Sequence, residues 1–459
     1  MSASMAKTIT WQQRLAFTAM AAPVALMQGP GLAILPNMYA EHFGIAMAEI
    51  SLALLLSRLV FESLGSLFVG LVSDHTHTRW GRRKPWIVAG CLLGLIGIVQ
   101  LYMPTGRPGA LHLALWMCVV YLAWNMFDVP YTAWGNELTR DYDERSRLAV
   151  WRQAFSVAGI LGMAWLPLWV SKNTEVDWDV LRWVAWTSIV ALPLVVGWAL
   201  WRVPRGQVTE LQPRLGWRRA VKTVAENKPF AMFLLFTVVL QLAVAMSAAL
   251  FFLFYTSYLG LGSWFPFFTT STVVVSLLSM PIWMALLKRT SKNRLLLVGT
   301  LGFAAGLPLV HMIEPGPHAL VIYAAYDAMW MLFYGAVEVA SRALLGDMID
   351  YDTLKTGNER AGEYVALWTL VTRTTQAVGA SSAFAVAGWF GYEASAASHS
   401  ADAIFGLKLT LGGLPAAIAL VAAGLALVLP MTRHRHDVIR RRLARRASRT
   451  ALQTTAKSV

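Results

Sequence analysis

Apolar runs of about twenty residues or more recur along the 459-residue chain, separated by short polar segments that carry most of its charge. A helix that crosses a bilayer needs roughly 20 mostly apolar residues. On that length scale the pattern predicts twelve helices, at about 15–40, 47–73, 86–104, 110–134, 153–171, 181–201, 230–258, 264–287, 295–313, 319–345, 363–390 and 402–431. Several exceed the minimum and have room to tilt. A polar, basic break between the sixth and seventh runs divides the chain into a six-helix half over 1–201, a linker over 202–229, a second half over 230–431 and a basic tail over 432–459. Lys7 and Arg14 precede the first run, and no small-residue cleavage site follows a short apolar core. The run therefore reads as an uncleaved first helix and not a signal peptide. The expected fold class is an all-α membrane protein with twelve transmembrane helices.

The charges test that count, because cytoplasmic loops of membrane proteins carry an excess of Lys and Arg. With both termini in the cytoplasm, the N-terminus, the connections on that side and the tail hold 31 of the 39 Lys and Arg. The opposite side holds Arg107, Lys172 and Arg182, while Arg58, Arg152, Arg342, Arg373 and Lys408 fall in or at the edges of spans. Adding or losing one helix would scramble this asymmetry. The net charge of +14 is thus mostly a topological signal facing acidic headgroups, and nucleic acid is excluded as a partner. The tail, with Arg440, Arg441, Arg442, Arg445 and Arg446, suits either an amphipathic helix on the inner leaflet or a solvated extension. A bacterial inner membrane is the expected location.

Composition agrees: 57% of residues are hydrophobic, 14% are charged and mean hydropathy is +0.52. A soluble chain carries about 25% charged residues. Cys91 and Cys118 sit in apolar runs and read as reduced core residues. All nine histidines fall in loops, at membrane edges or in the tail, so no span holds a metal-ligand pair. No phosphate-cradling loop is present, which argues against a primary pump. A membrane-embedded enzyme therefore has neither nucleophile nor metal to work with, and no cofactor is expected.

Two polar segments repeat six spans apart. After helix four the chain reads Asn136-Glu-Leu-Thr-Arg-Asp141-Tyr-Asp143-Glu-Arg145-Ser-Arg147, and after helix ten Gly346-Asp347-Met-Ile-Asp350-Tyr351-Asp352, then Asn358-Glu359-Arg360. The segment Asp74 to Lys84 after helix two is echoed more weakly by Lys288 to Arg294 after helix eight. Two six-helix bundles related by an axis along the membrane normal are the repeat architecture of the major facilitator superfamily. Gly70-Leu-Val-Ser73-Asp74-His-Thr-His-Thr78-Arg79-Trp80-Gly81-Arg82-Arg83-Lys84-Pro85-Trp86 resembles the helix-two-to-three loop of the glycoside–pentoside–hexuronide:cation symporters, the melibiose-permease branch of that superfamily. Asp128-Val-Pro130-Tyr131 with Glu137 to Arg145, and Gly346 to Asp352 with Lys355-Thr-Gly, resemble two further signatures of the family in the expected order.

The resemblance implies a cation-coupled sugar or glycoside symporter working by alternating access, as a monomer in the bilayer. It implies that Asp74, Arg79, Arg82, Arg83, Asp141, Asp143, Arg145, Arg147, Asp350, Asp352 and Arg360 form cytoplasmic ion pairs that bridge the bundles and break when the inner side opens. Plain topology and solvation is the alternative.

Ionisable groups inside spans cost at least ~2.5 kcal/mol each on the insertion scale, which makes them functional candidates. Glu62, Asp128, Asp327 and Glu338 are the acids; Arg58, Arg152, Arg342 and Arg373 are the bases. The family carries two aspartates one turn apart on helix two, one on helix four and a lysine on helix eleven, which together form its cation site. Alignment on the motifs puts Glu62 and Ser66 at the first two, Asp128 at the third, and Arg373 in place of the lysine. Losing a carboxylate and gaining a permanent cation disfavours sodium, while a glutamate near the bilayer centre can load and unload a proton, so proton coupling is favoured. The alternative for Glu62 is a structural pair with Arg58, one turn away.

Arg152 matches a family arginine facing the sugar, and its donor fork suits vicinal hydroxyls or a carboxylate; snorkelling to the headgroups is the other reading. Glu338 either neutralises Arg342 or faces the cavity. Asp327 reads as a wet helix end. Gly29-Pro30-Gly31 is expected to break helix one and give Gln28 access to a polar ligand. Tyr131 and Trp368, like Trp124 and Tyr334, are candidates for stacking on a sugar ring. Helix one lacks the acid that holds the sugar in melibiose-type members, so galactoside specificity is not implied. A non-sugar polar solute such as an organic acid, or uniport, stays open.

Overall fold

The computed structural model describes residues 9–430 apart from 140, 171–174, 207–216, 359 and 397, together with 435, 438, 439, 441, 442 and 445 of the tail; for 30–33, 142 and 217–220 it describes backbone alone. Among the described residues every regular element is helical. Ten helices are long and apolar enough to cross a membrane: α2 (Met47–His75), α3 (Lys84–Tyr102), α4 (Ala110–Leu138), α5 (Asp143–Val170), α6 (Trp178–Arg202), α7 (Lys228–Tyr258), α8 (Gly262–Arg289), α9 (Lys292–Met312), α10 (Ala319–Thr356) and α12 (Ala401–Val428). Two more complete the set of twelve. α1 runs in three pieces, Trp11–Ala19, Ala21–Ala33 and Leu35–Phe43, and α11 is the polar but continuous Ala361–Trp389. A short amphipathic helix, Trp217–Glu226, precedes α7.

Helix ends follow local chemistry. Thr10 opens α1 with a reciprocal capping box to Gln13, and Asn227 accepts the Phe230 amide at the start of α7. Two expectations need correction. The break in α1 does not fall at Gly29–Gly31, where the backbone stays helical; it falls at Met20 and Ile34. Those breaks lie three residues before Pro23 and two before Pro36, each of which falls in the first turn of the next piece, whereas interior prolines are tolerated here, as Pro130, Pro167, Pro193 and Pro281 show inside continuous helices. Second, the repeated acidic segments are largely helical and not loops. α10 continues to Thr356, carrying Asp347, Asp350 and Asp352, and α5 begins directly after Asp141. The Asp141 carboxylate accepts the Asp143 amide at 2.8 Å, an N-terminal cap.

The two halves are built from one pairing scheme. In the first, α3 packs on α4, α1 on α5, α2 on α4, α3 on α6 and α1 on α6; in the second, α9 on α10, α7 on α11, α8 on α10, α9 on α12 and α7 on α12. Every partner shifts by six. The same glycine contacts recur as well. A Cβ at Gly159 would lie 2.2 Å from the Ala22 carbonyl oxygen, and one at Gly379 would lie 2.8 Å from that of Leu242. Small residues let membrane helices approach this closely, because lipid supplies no hydrophobic drive and contact distance decides the packing energy.

Across the halves, α2 packs on α11 and α5 on α8. These contacts concentrate at the end of the bundle far from the chain termini. There Ser51 donates to the Ser381 carbonyl at 2.8 Å, Trp165 Nε1 to Thr270 Oγ1 at 2.9 Å, and Asn37 Nδ2 to the Ala249 carbonyl at 3.5 Å. One apolar core runs through this far end and joins both halves, whereas a second core stays within the second half. The halves are therefore sealed at the far end.

Candidate substrate and cation site

α2 changes pitch where it meets the middle of the bundle. Ser57–Leu64 is a π-helical stretch, with the Gly65 amide reaching back to Val60 O. Such a widened turn aims its carbonyls sideways and is common at functional positions. Asn125 on α4 takes up two of them, donating from Nδ2 to Phe61 O at 2.5 Å and to Glu62 O at 3.0 Å. Its Oδ1 accepts from Arg373 Nη1 at 3.4 Å, across the interface between halves. Asn125 is fully buried. It thus ties the backbone under Glu62, the helix bearing Asp128 and the arginine of α11 into one unit, and sequence reasoning missed it because an uncharged amide in a span carries no alarm.

The ionisable groups converge around this unit. Arg58 Nε donates to Glu62 Oε2 at 2.9 Å, so the pair expected as one reading of Glu62 is present. Asp128 lies between two arginines, 3.7 Å from Arg152 Nη2 and 3.9 Å from Arg373 Nη2. Arg152, its side chain 34% exposed, also donates from Nη1 to Thr132 Oγ1 at 2.8 Å, and its guanidinium lies 5.0 Å above the Tyr131 ring. Ser66 is not brought onto the carboxylate; its hydroxyl donates to Ser63 O at 2.7 Å.

A cavity of about 170 Å³ opens beside these charges, lined by Gln28, Glu62, Tyr121, Trp124, Arg373 and apolar side chains of α1, α3 and α4. Gln28 reaches it without any break in the helix. The Tyr121 hydroxyl is buried and without a hydrogen-bond partner, a donor aimed at nothing protein-made. Trp368 Nε1 is likewise buried without a partner, near Arg342 at 6.0 Å.

Tyr131 is corrected. It is 2% exposed, packs 4.7 Å from Phe17 and donates its hydroxyl to Phe17 O at 2.9 Å, so it supports Arg152 from below and offers no face to a ligand. Glu338 is held by its neighbours, accepting from Arg342 Nε and from the Tyr334 hydroxyl, each at 3.1 Å. Asp327 is no wet helix end: it is 8% exposed.

At the end bearing the termini, the observed ion pairs each close within one half. Arg83 reaches Asp74 at 2.6 Å and Glu137 at 2.9 Å, with Arg82 on the same Glu137 carboxylate at 3.0 Å. In the second half Lys292 binds Asp347, the equivalent loop-to-helix tie, and Arg360 grips Asp352 at 2.5 Å and 2.9 Å. Donating these hydrogen bonds to the Asp352 carboxylate raises the affinity of Arg360 for its proton. Arg145 donates to Thr139 O at 3.1 Å, and Arg79 lies over Trp80 at 5.8 Å. Glu359 and Arg440 lie outside the described residues.

Comparison with known proteins matches this arrangement. The family model described as MFS/sugar transport protein covers residues 15–433. The glucuronide carrier protein homolog of Escherichia coli strain K12 is 23% identical over 412 residues, 88% of each chain. The isoprimeverose transporter of Lactiplantibacillus pentosus is 22% identical over 391 residues, 82% of this chain and 80% of that one. Among solved structures, a point mutant of the nucleoside transporter NupG superposes with a TM-score of 0.70 at 12% identity, covering 91% of this chain and all of the other, a likeness of fold. Twelve helices in two repeated halves, a polar site at their junction and a family match along nearly the whole sequence lead to one assignment: the chain belongs to the MFS/sugar transport protein family of membrane transporters.

Proposed function

We propose that this transporter is a proton-driven symporter of a glycoside bearing a carboxylate, a uronide, working by alternating access. The observation that carries the reading is charge balance. Three guanidinium groups, Arg58, Arg152 and Arg373, meet two carboxylates, Glu62 and Asp128, at the centre of the bundle. A sodium ion would need several oxygen ligands, and one oxygen of Glu62 is already engaged by Arg58. Among the described residues no cluster of three or more His, Cys, Asp and Glu offers a metal cage. A proton needs one carboxylate oxygen and no coordination sphere, and an anionic substrate offsets the excess.

In this reading a proton on Glu62 releases Arg58, and the substrate carboxylate takes the Arg152 fork while hydroxyls reach Gln28, Tyr121 and Trp368. Asp128 and Arg373 link that event to α11 and so to the other half. The sugar class is supported by the names of the two relatives, and the proton preference by the site. Both termini are read as cytoplasmic, a reading supported by the charge asymmetry of the sequence. The far end is then extracellular, and the present state, sealed there, faces inward, with the cytoplasmic ion pairs drawn back into their own halves. Residues 1–201 and 230–431 are the rocking bodies, joined by 202–229.

Proteoliposomes decide it. An imposed pH gradient drives accumulation of a labelled glucuronide, and competition by neutral glycosides is weaker. Uptake driven by sodium alone would overturn the proton assignment; neutral glycosides competing equally would overturn the uronide. Glu62→Gln abolishes gradient-driven accumulation and retains exchange of substrate for substrate.

A further inference from the structure

One buried acid has no part in this scheme. Asp327, on α10, is held among Tyr255 of α7 and Tyr323 and Tyr326 of its own helix, all near enough to interact with its charge. The Tyr326 hydroxyl is buried without a partner. The hydrogen bond seen at the carboxylate comes from Thr272 Oγ1 on α8, at 2.9 Å. No arginine, lysine or histidine forms an ion pair with it among the described residues. The part of α9 that packs beside Tyr326 and Met329, Gly302–Leu307, carries no titratable group; His311, in the last turn of α9, is turned to Pro308 O.

Its place in the fold gives it a role. Thr270 and Thr272 are two residues apart, which puts them on nearly opposite faces of α8. Thr270 receives the Trp165 indole from the other half, the bond that helps seal the far end. Thr272 holds Asp327. The same turn of α8 is therefore gripped by the gate on one side and by the carboxyl on the other. Any displacement of α8 at the gate therefore carries Thr272 with it and disturbs the hydrogen bond to the carboxyl; in the present closed state the carboxyl is buried, with no ion-pair partner among the described residues. Burial without a counter-charge favours the neutral form.

We propose that Asp327 is a proton-binding site of the second half, which takes one proton from far-side water as the far end closes and releases it when that end reopens. Far-end closure thus consumes a proton at Asp327, separately from any proton carried with substrate. The inference rests on the alternating-access reading and not on its coupling ion, since conformation and not uptake is the readout.

The test uses the full chain in nanodiscs, with Cys91 and Cys118 replaced by alanine and spin labels on Asp179→Cys and His318→Cys, exposed far-end positions in opposite halves. As pH falls from about 8 to about 5, the closed, short-distance fraction rises about tenfold relative to the open one. Asp327→Asn, a mimic of the neutral acid, holds the short distance at every pH. A pH response in Asp327→Asn equal to that of the parent, or no response in the parent, overturns the proposal. Should the Asn variant fail to fold, Asp327→Glu moves the midpoint of the response; an unmoved midpoint overturns it equally.

Discussion

α2 and α8 occupy equivalent places in the two halves and differ in what they carry. α2 bears Arg58 and Glu62 on a π-helical stretch, while α8 has no ionisable residue before Lys288. The contrast continues on α4 and α10. Asp128 is shared between Arg152 and Arg373, whereas Glu338 is closed off by Arg342 one turn away. Of the residues lining the cavity, Arg373 alone comes from the second half. The repeat has kept helix pairings and glycine contacts, which depend on backbone distance, and has left the chemistry one-sided. Packing constrains both halves equally, because each must satisfy the same bilayer. A charge in a span is retained only where it works.

That comparison can be broken most severely through its shared part. Gly159→Leu and Gly379→Leu each force a side chain into the backbone of the facing helix, and both should abolish monodisperse folded protein on size exclusion. Survival of either would mean that the two halves are not packed alike.

A smaller effect separates the halves. Arg373→Gln should lower uptake about 10- to 100-fold, the ~1.5–3 kcal/mol of a charged hydrogen bond. Arg342→Gln should change it less than about twofold, as an exposed pair one turn apart contributes ~0.3–0.5 kcal/mol. Similar losses in transport assays would dissolve the asymmetry. Next comes Asn125→Ala, which leaves Phe61 O and Glu62 O without their partner, at ~1–3 kcal/mol. Its unfolding midpoint in detergent should fall, and coupled uptake with it.

The mildest test lies at the far end. Hydrogen bonds from Lys408, then Tyr258, hold the Glu314 carboxyl below the usual carboxylate range. A carboxyl lowered in the folded state adds stability above its unfolded value and loses it as pH falls through the lowered one. Thermal midpoints should therefore drop at acid pH, below about 4, and Glu314→Gln should flatten that limb.

Much of this was legible in the residues. Hydropathy and the Lys and Arg asymmetry are local sums over many positions, so they survive errors at any one. They led to twelve helices and the break near 202–229, while the repeat showed in the recurring Asp-Tyr-Asp segments six spans apart. The charged candidates were legible too, since an ionisable residue in an apolar run stands out. Less visible were partners. Whether Glu62 faces Arg58 or a ligand, and whether Tyr131 stacks on sugar or lies under Arg152, depends on rotation and neighbours that no single helix specifies.

By itself, then, the amino-acid order determined the membrane class, the helix count, the two-half plan and the small set of charges able to do chemistry. Each of these follows from transfer free energies counted along the chain. Only the tertiary structure decided the rest: the π-helical turn under Glu62, the three-way role of Asn125, the burial of Asp327 behind the far-end seal and, among the described residues, the closing of the termini-side ion pairs within their own halves. Those depend on which faces of distant helices meet, and helix contacts in a membrane are settled by close packing between segments far apart in sequence.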